Sequence, residues 1–194
     1  MTKVLLLVAV CLQVYGCAGT SLQPYPRAEE LLPAGQTLWR ARIGRGDSQL
    51  FAGLLVLNKT GQDLEAVLLD STGIKLLEEK IRASGVVTIV ATLPPLRNQR
   101  LGSFLGTGLH RLFSSPEGVA TQPCRRDGLL ALCFGMAEPG HLRKFRRLGP
   151  FVLWSGDYFI NNYDSTAEIT GARLNAGWLT PYLHLEKSGV DPGR

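Results

Sequence analysis

From Gln36 onward, apolar residues come in short runs separated by glycine-bearing turns. Thr37–Ile43 alternates Trp39, Ala41 and Ile43 against Leu38, Arg40 and Arg42, the two-residue period of a half-buried strand. Gly44-Arg45-Gly46-Asp47 has turn chemistry. Leu50–Leu57 is nearly all apolar, which predicts a strand covered on both faces. Asn58-Lys59-Thr60-Gly61 turns the chain again. Leu64–Asp70 reads as a strand, Ser71-Thr72-Gly73 as a turn and Ile74–Ile81 as the returning strand. Val86–Ala91 is short and β-branched. Strands at this spacing predict an antiparallel meander.

Pro94 and Pro95 interrupt the pattern, and the period then changes. Leu101, Phe104, Leu105, Leu109, Leu112 and Phe113 fall on one face of a helix predicted over Asn98–Phe113. Gly102, Gly106 and Gly108 each lower helix propensity by up to about 1 kcal/mol, and they permit close approach to a sheet. Their spacing is not that of a dinucleotide-binding turn, and no strand leads into them. Strands resume at Leu129–Phe134, Phe151–Trp154, Tyr158–Tyr163, Ala167–Leu174 and Trp178–Leu185, with Gly156-Asp157 and Gly177 as turn residues. The expected class is mainly β with one or two helices, arranged as meander, helical interruption, meander.

The N-terminus follows a different logic. Met1-Thr2-Lys3 precedes an apolar run from Val4 to Val14, and Gly16 precedes Cys17. This is the form of a bacterial lipoprotein signal peptide. The run falls short of the roughly 20 residues a membrane-spanning helix needs. Residues 1–16 are thus read as signal and Cys17 as the lipidated N-terminus. Residues 17–35, with Pro24, Pro26, Pro33 and Gly35, form a tether holding at most one helical turn at Ala28–Leu32. The folded domain spans 36–188, and 189–194 is a loose tail. An ordinary secretory cut near Ala18-Gly19 and an uncleaved anchor are the alternatives. Ala18, where an Asp would retain a lipoprotein in the inner membrane, implies a lipid-anchored outer-membrane location, by resemblance to bacterial lipoproteins.

Of the four cysteines, Cys11 leaves with the signal and Cys17 takes lipid. Cys124 and Cys133 remain in an oxidising compartment where disulfides persist. A bridge between them closes a short, sterically feasible loop. The competing reading leaves two thiols, with Cys133 a buried hydrophobe in Leu129–Phe134. His110, His141 and His184 lack metal-ligand spacing, so no metal or cofactor is expected.

The formal net charge is +5. Its clearest source is His141, Arg143, Lys144, Arg146 and Arg147, with Arg125 and Arg126 upstream. An anionic lipid headgroup fits such a cluster, and so does a solvated strand or turn. No recognised nucleic-acid module is present. No Gly-x-Ser-x-Gly elbow exists, and Ser155 has no mark of a nucleophile. Asp157 and Asp164 sit where turns are expected, which is commoner for Asp than catalysis. Arg45-Gly46-Asp47-Ser48 matches an adhesion tetrapeptide and equally a hairpin turn. No catalytic residue is assigned, and the chain is read as non-enzymatic. Trp39, Phe51, Phe104, Trp154, Phe159 and Trp178, with Leu101, Leu105, Leu109 and Leu112 of the helix, either line an apolar ligand cavity or fill a core.

Trp39-Arg40-Ala41, Phe51–Leu57 and Leu64–Gly73 resemble an outer-membrane lipoprotein family whose members are often encoded beside aryl-polyene-type genes, and more distantly the lipoprotein carriers LolA and LolB. The resemblance implies a half-open antiparallel β-barrel with a helical lid over a cavity for acyl or polyene chains. The LolB receptor carries a protruding loop with an exposed leucine. Here the corresponding turn, Asp70-Ser71-Thr72-Gly73, is short and polar, which separates this chain from true receptor activity. The leading expectation is a lipid-binding or lipid-passing lipoprotein. A structural lipoprotein docking an envelope protein is the alternative, and an envelope hydrolase a weaker one.

Overall fold

A computed structural model describes residues 22–23, 31–94, 101–114, 123–161, 168–177 and 181–189. Cys17, Asp164 and Trp178 lie outside them. Among the described residues, eleven strands and one helix follow in chain order: β1 (Gly35–Arg45), β2 (Ser48–Thr60), β3 (Asp63–Leu69), β4 (Lys75–Ile81), β5 (Val87–Thr92), α1 (Leu101–Phe113), β6 (Cys124–Asp127), β7 (Leu130–Glu138), β8 (His141–Leu148), β9 (Phe151–Asn161), β10 (Glu168–Asn175) and β11 (Tyr182–Lys187).

The strands form one antiparallel sheet ordered β5-β4-β3-β2-β1-β11-β10-β9-β8-β7-β6. Two meanders are thus joined through β1 and β11. The sheet is not closed, since β5 and β6 are its two edges. The fold is mainly β, a half-open antiparallel barrel with one helix laid on its inner face.

Alternation decides what points inward. Trp39, Ala41 and Ile43 of β1 are each 1% exposed. They meet Leu55 and Leu57 of β2, Leu68 of β3 and Leu185 of β11 in a continuous core. Leu105, Leu109 and Leu112 of α1 enter this core fully buried. Each contributes about 1.5–3 kcal/mol by leaving water.

Several sequence expectations change or are resolved. Only Leu55 and Leu57 of the apolar run Leu50–Leu57 are fully buried, and Leu50 is 62% exposed. The outer face of β2 is therefore only partly covered. Gly156-Asp157 is not a turn but the middle of β9. Asp157 is tolerated there because Arg143 Nε, its cross-strand partner, donates to Asp157 Oδ1 at 2.7 Å, and His141 Nε2 stands 3.2 Å away. The basic stretch His141–Leu148, for which the sequence allows strand or turn, is strand β8, and Cys124–Asp127 adds the edge strand β6. Alternation on β8 is disguised because both faces are covered: Leu142 faces the main core, while Phe145 packs with Leu22, Ala131 and Cys133 on the outer side.

The segment expected to be a tether contributes to that outer cluster. Gln23 and Met136 exchange backbone hydrogen bonds of 3.0 and 2.9 Å. Gly135 makes room for this crossing, since a Cβ there would stand 2.4 Å from the Gln23 carbonyl oxygen. Leu31 and Leu32 enter the main core, and Lys59 Nζ donates to the Leu32 carbonyl oxygen at 2.8 Å.

Candidate functional site

The inner face is organised by two rows of cross-strand neighbours, which share a face because paired residues in a sheet point the same way. The first runs Phe134, Lys144, Gly156, Leu174, Leu183, Ile43, Phe51 across β7, β8, β9, β10, β11, β1 and β2. The C-terminal half of α1 lies over it. A Cβ on Gly156 would come within 2.8 Å of Leu112 Cδ2, so this glycine opens the space Leu112 fills. On the helix side, a Cβ on Gly108 would meet Leu174 at 3.0 Å.

A helix end leaves carbonyl groups unpaired, and here the sheet supplies the donors. Tyr158 donates its hydroxyl to the Leu112 carbonyl oxygen at 2.6 Å. Lys144 Nζ donates to the Ser114 carbonyl oxygen at 2.7 Å and to its hydroxyl at 3.3 Å. A cation at a helix C-terminus also suits the helix dipole. Burial opposes the charge, pushing the Lys144 ammonium down to about 7. It pushes the Tyr158 phenol up, and the Asp157 charge adds to that.

The N-terminal half of α1 rests on β4 and β5 through its glycines. A Cβ on Gly102 would stand 2.8 Å from Glu79 Oε1, and one on Gly106 2.9 Å from Glu79 Oε2 and 2.4 Å from Val87 Cγ1. Glu79 is completely buried and neither carboxyl oxygen has a hydrogen-bond partner. Desolvation raises its pKa to about 8. The helix thus lies on a carboxyl group that burial pushes toward its neutral form.

The second row runs Arg125, Leu132, Arg146, Trp154 across β6, β7, β8 and β9. It borders an open pocket of about 570 Å³ between the C-terminal half of α1 and these strands. Thr107, His110, Arg111 and Ser114 close it on the helix side, Ala83 at one end, and Arg126, Asp127, Leu130 and Lys144 complete the lining. The Arg111 guanidinium sits 5.8 Å from the Trp154 ring centroid. Burial, then repulsion from Arg146, lowers the Arg111 pKa. Leu130, Leu132 and Trp154 give the pocket an apolar wall beneath a rim of arginines.

Of the residues singled out as cavity-lining, Trp154 lines this pocket. Trp39, Leu105, Leu109 and Leu112 pack against one another in the core between helix and sheet. Phe51, Leu101 and Phe104 lie half-buried at its margin. Phe159 is 44% exposed and stacks on His141 with ring centroids 5.5 Å apart. Cys124 and Cys133 are bridged and form a register pair between β6 and β7. The basic cluster is divided by alternation: His141 and Arg143 engage Asp157, Lys144 holds the helix end, and Arg146 joins Arg125 at the pocket. Sequence reasoning missed Glu79, Tyr158 and the burial of Lys144. Gly102 and Gly106 signal a close approach of helix to sheet, but nothing in the sequence singles out Glu79 as the group beneath them. Among the described residues, no group of three or more His, Cys, Asp or Glu could hold a metal ion, and no helix is long and apolar enough to cross a membrane.

The fold and site together define a half-open β-barrel with a helix seated on its inner face and a basic pocket beside it. No protein-family model and no curated protein matches the chain. Among solved structures it is similar to a DUF1329 family protein from Desulfovibrio piger, at 11% identity over 87% of this chain and 90% of that one, with a TM-score of 0.37. It is also similar to a domain from Vibrio parahaemolyticus described as an outer membrane lipoprotein-sorting protein, at 8% identity over 81% of this chain and 88% of that one, with a TM-score of 0.34. Likeness at this level says nothing about ligand or partner.

Proposed function

We propose that this chain is a lipid-anchored protein of the outer membrane that binds and passes on a lipid-like ligand without chemistry of its own. Cys17 carries the anchor, and the C-terminal half of α1 forms one wall of the binding pocket. The observation that carries this reading is the open pocket of about 570 Å³ on the inner face, walled by Leu130, Leu132 and Trp154. Ligand sites are typically concavities of this size, and here an apolar wall of Leu130, Leu132 and Trp154 faces a polar, mainly basic remainder. The unclosed barrel leaves the pocket accessible, and an acyl or polyene chain entering it would exchange water for apolar wall at about 25 cal/mol per Å² buried.

Quenching by brominated oleate tests it. Bound chains quench tryptophan emission, and Trp154→Phe removes the larger part of the quench. An unmutated protein that shows no quench, and that carries no co-purified lipid in native mass spectrometry, overturns the reading. The alternative, an assembly lipoprotein that docks a protein partner in the envelope, then takes its place. It is favoured by the filled space under α1, where Leu105, Leu109 and Leu112 are each 0% exposed.

A further inference from the structure

We propose that the pocket between α1 and β6–β9 recognises a single anionic headgroup, a phosphate or carboxylate, of the lipid-like ligand. The inference rests on the function proposed above and adds the chemical class of the head.

The pocket is built from a cross-strand row that alternates cation and apolar group: Arg125, Leu132, Arg146, Trp154. Arg111 reaches the same space from the helix and lies over the Trp154 ring. Arg111, Arg125, Lys144 and Arg146 face the pocket against one carboxylate, Asp127, while Arg126 pairs with Ala131 of the outer face. No ion pair among the described residues engages Arg111 or Arg146. Arg111 and Arg146 lie close enough to repel, and an anion between them would relieve that repulsion. Guanidinium groups suit phosphate and carboxylate because their donors form a planar fork. Lys144 is committed to Ser114, so Arg111 and Arg146 do the reading. The apolar wall beneath them accepts the first part of a chain.

The test uses the lipidated mature protein held in a nonionic amphipol. Four probes are titrated by calorimetry: oleoyl lysophosphatidate, oleate, monooleoylglycerol and inorganic phosphate. The two anionic amphiphiles should bind about tenfold tighter than monooleoylglycerol. Arg111→Gln/Arg146→Gln should abolish that advantage, so that the anionic amphiphiles and monooleoylglycerol bind equally. If the double variant melts early, Arg146→Gln alone, at an exposed side chain, should reduce the advantage about threefold.

Equal binding of all three amphiphiles overturns the anion site and leaves the proposed function standing. An anionic preference that survives intact in the folded variants overturns the assignment to this pocket. Phosphate binding as tightly as lysophosphatidate, with oleate and monooleoylglycerol silent, supports the anion site with free phosphate as its source and overturns the lipid reading. Silence from all four probes overturns both.

Discussion

Tyr158, in the middle of β9, donates its hydroxyl to the Leu112 carbonyl oxygen at 2.6 Å and so fixes the last turn of α1 to a strand 46 positions away in sequence. The same turn is held by Lys144 from the neighbouring strand. The helix is therefore attached firmly at its C-terminal end. Its N-terminal half rests on Glu79, a buried carboxyl that makes no hydrogen bond.

Removing the Tyr158 hydroxyl leaves a buried carbonyl unpaired. Tyr158→Phe should therefore lower unfolding free energy by about 1–3 kcal/mol. Urea denaturation checks this, and an unchanged midpoint would show that the helix end finds another donor.

The Glu79 pKa is raised to about 8 in the folded protein from an ordinary 4.5. Stability from holding this proton is complete below about pH 4.5 and is lost as pH rises toward 8, by on the order of a few kcal/mol. Lys144 has the opposite sign. Its pKa falls from 10.5 to about 7, so the unfolded chain binds the extra proton between those values and stability recovers as pH rises through them. Melting temperature should pass through a minimum near neutral to mildly alkaline pH. Glu79→Gln should flatten the limb between pH 5 and 8, and a limb unchanged in that variant would contradict the assignment.

Gly106 is a contact position rather than a mere weak point in the helix. A Cβ there would lie 2.4 Å from Val87 Cγ1. Alanine gains up to about 1 kcal/mol of helix propensity, yet overpacking typically costs about 1–3 kcal/mol. Gly106→Ala should be net destabilising, and Gly106→Val more so. A thermal melt that rises for alanine would show that α1 lifts from β5 easily.

The Cys124–Cys133 bridge ties the edge strand β6, which supplies the pocket's Arg125, to β7. Closing so short a loop stabilises by roughly 2–3 kcal/mol in the chain-entropy model. Protein taken unreduced from the envelope should titrate no free thiol at these two positions, and reduction should lower its melting temperature. Two free thiols would sink the bridge.

Cys17→Ser should abolish acylation and release the protein from membranes. Metabolic labelling with a fatty-acid analogue reads this directly. Equal labelling of variant and parent would remove Cys17 as the lipid site.

The sequence by itself determined what local periodicity controls. Trp39, Ala41 and Ile43 announce an inward strand face by their spacing, and Leu105, Leu109 and Leu112 announce a helical stripe. The glycine-bearing turns of the first meander set its hairpins, and Gly16-Cys17 carries the expectation of an anchor. Only the tertiary structure decided the second meander and the site. Gly156-Asp157 looks like a turn until Arg143 and His141 appear beside Asp157 and Leu112 fills the space over Gly156. Lys144 looks like a solvated cation until the end of α1 stands above it, and Glu79 like a surface carboxylate until two glycines cover it. Arg125 and Arg146 belong to one pocket only because strand register aligns them with Trp154. Periodicity tells which residues share a face. Whether a polar residue on that face is satisfied, stranded or poised for a ligand depends on groups far away in sequence, and only the folded chain brings those together.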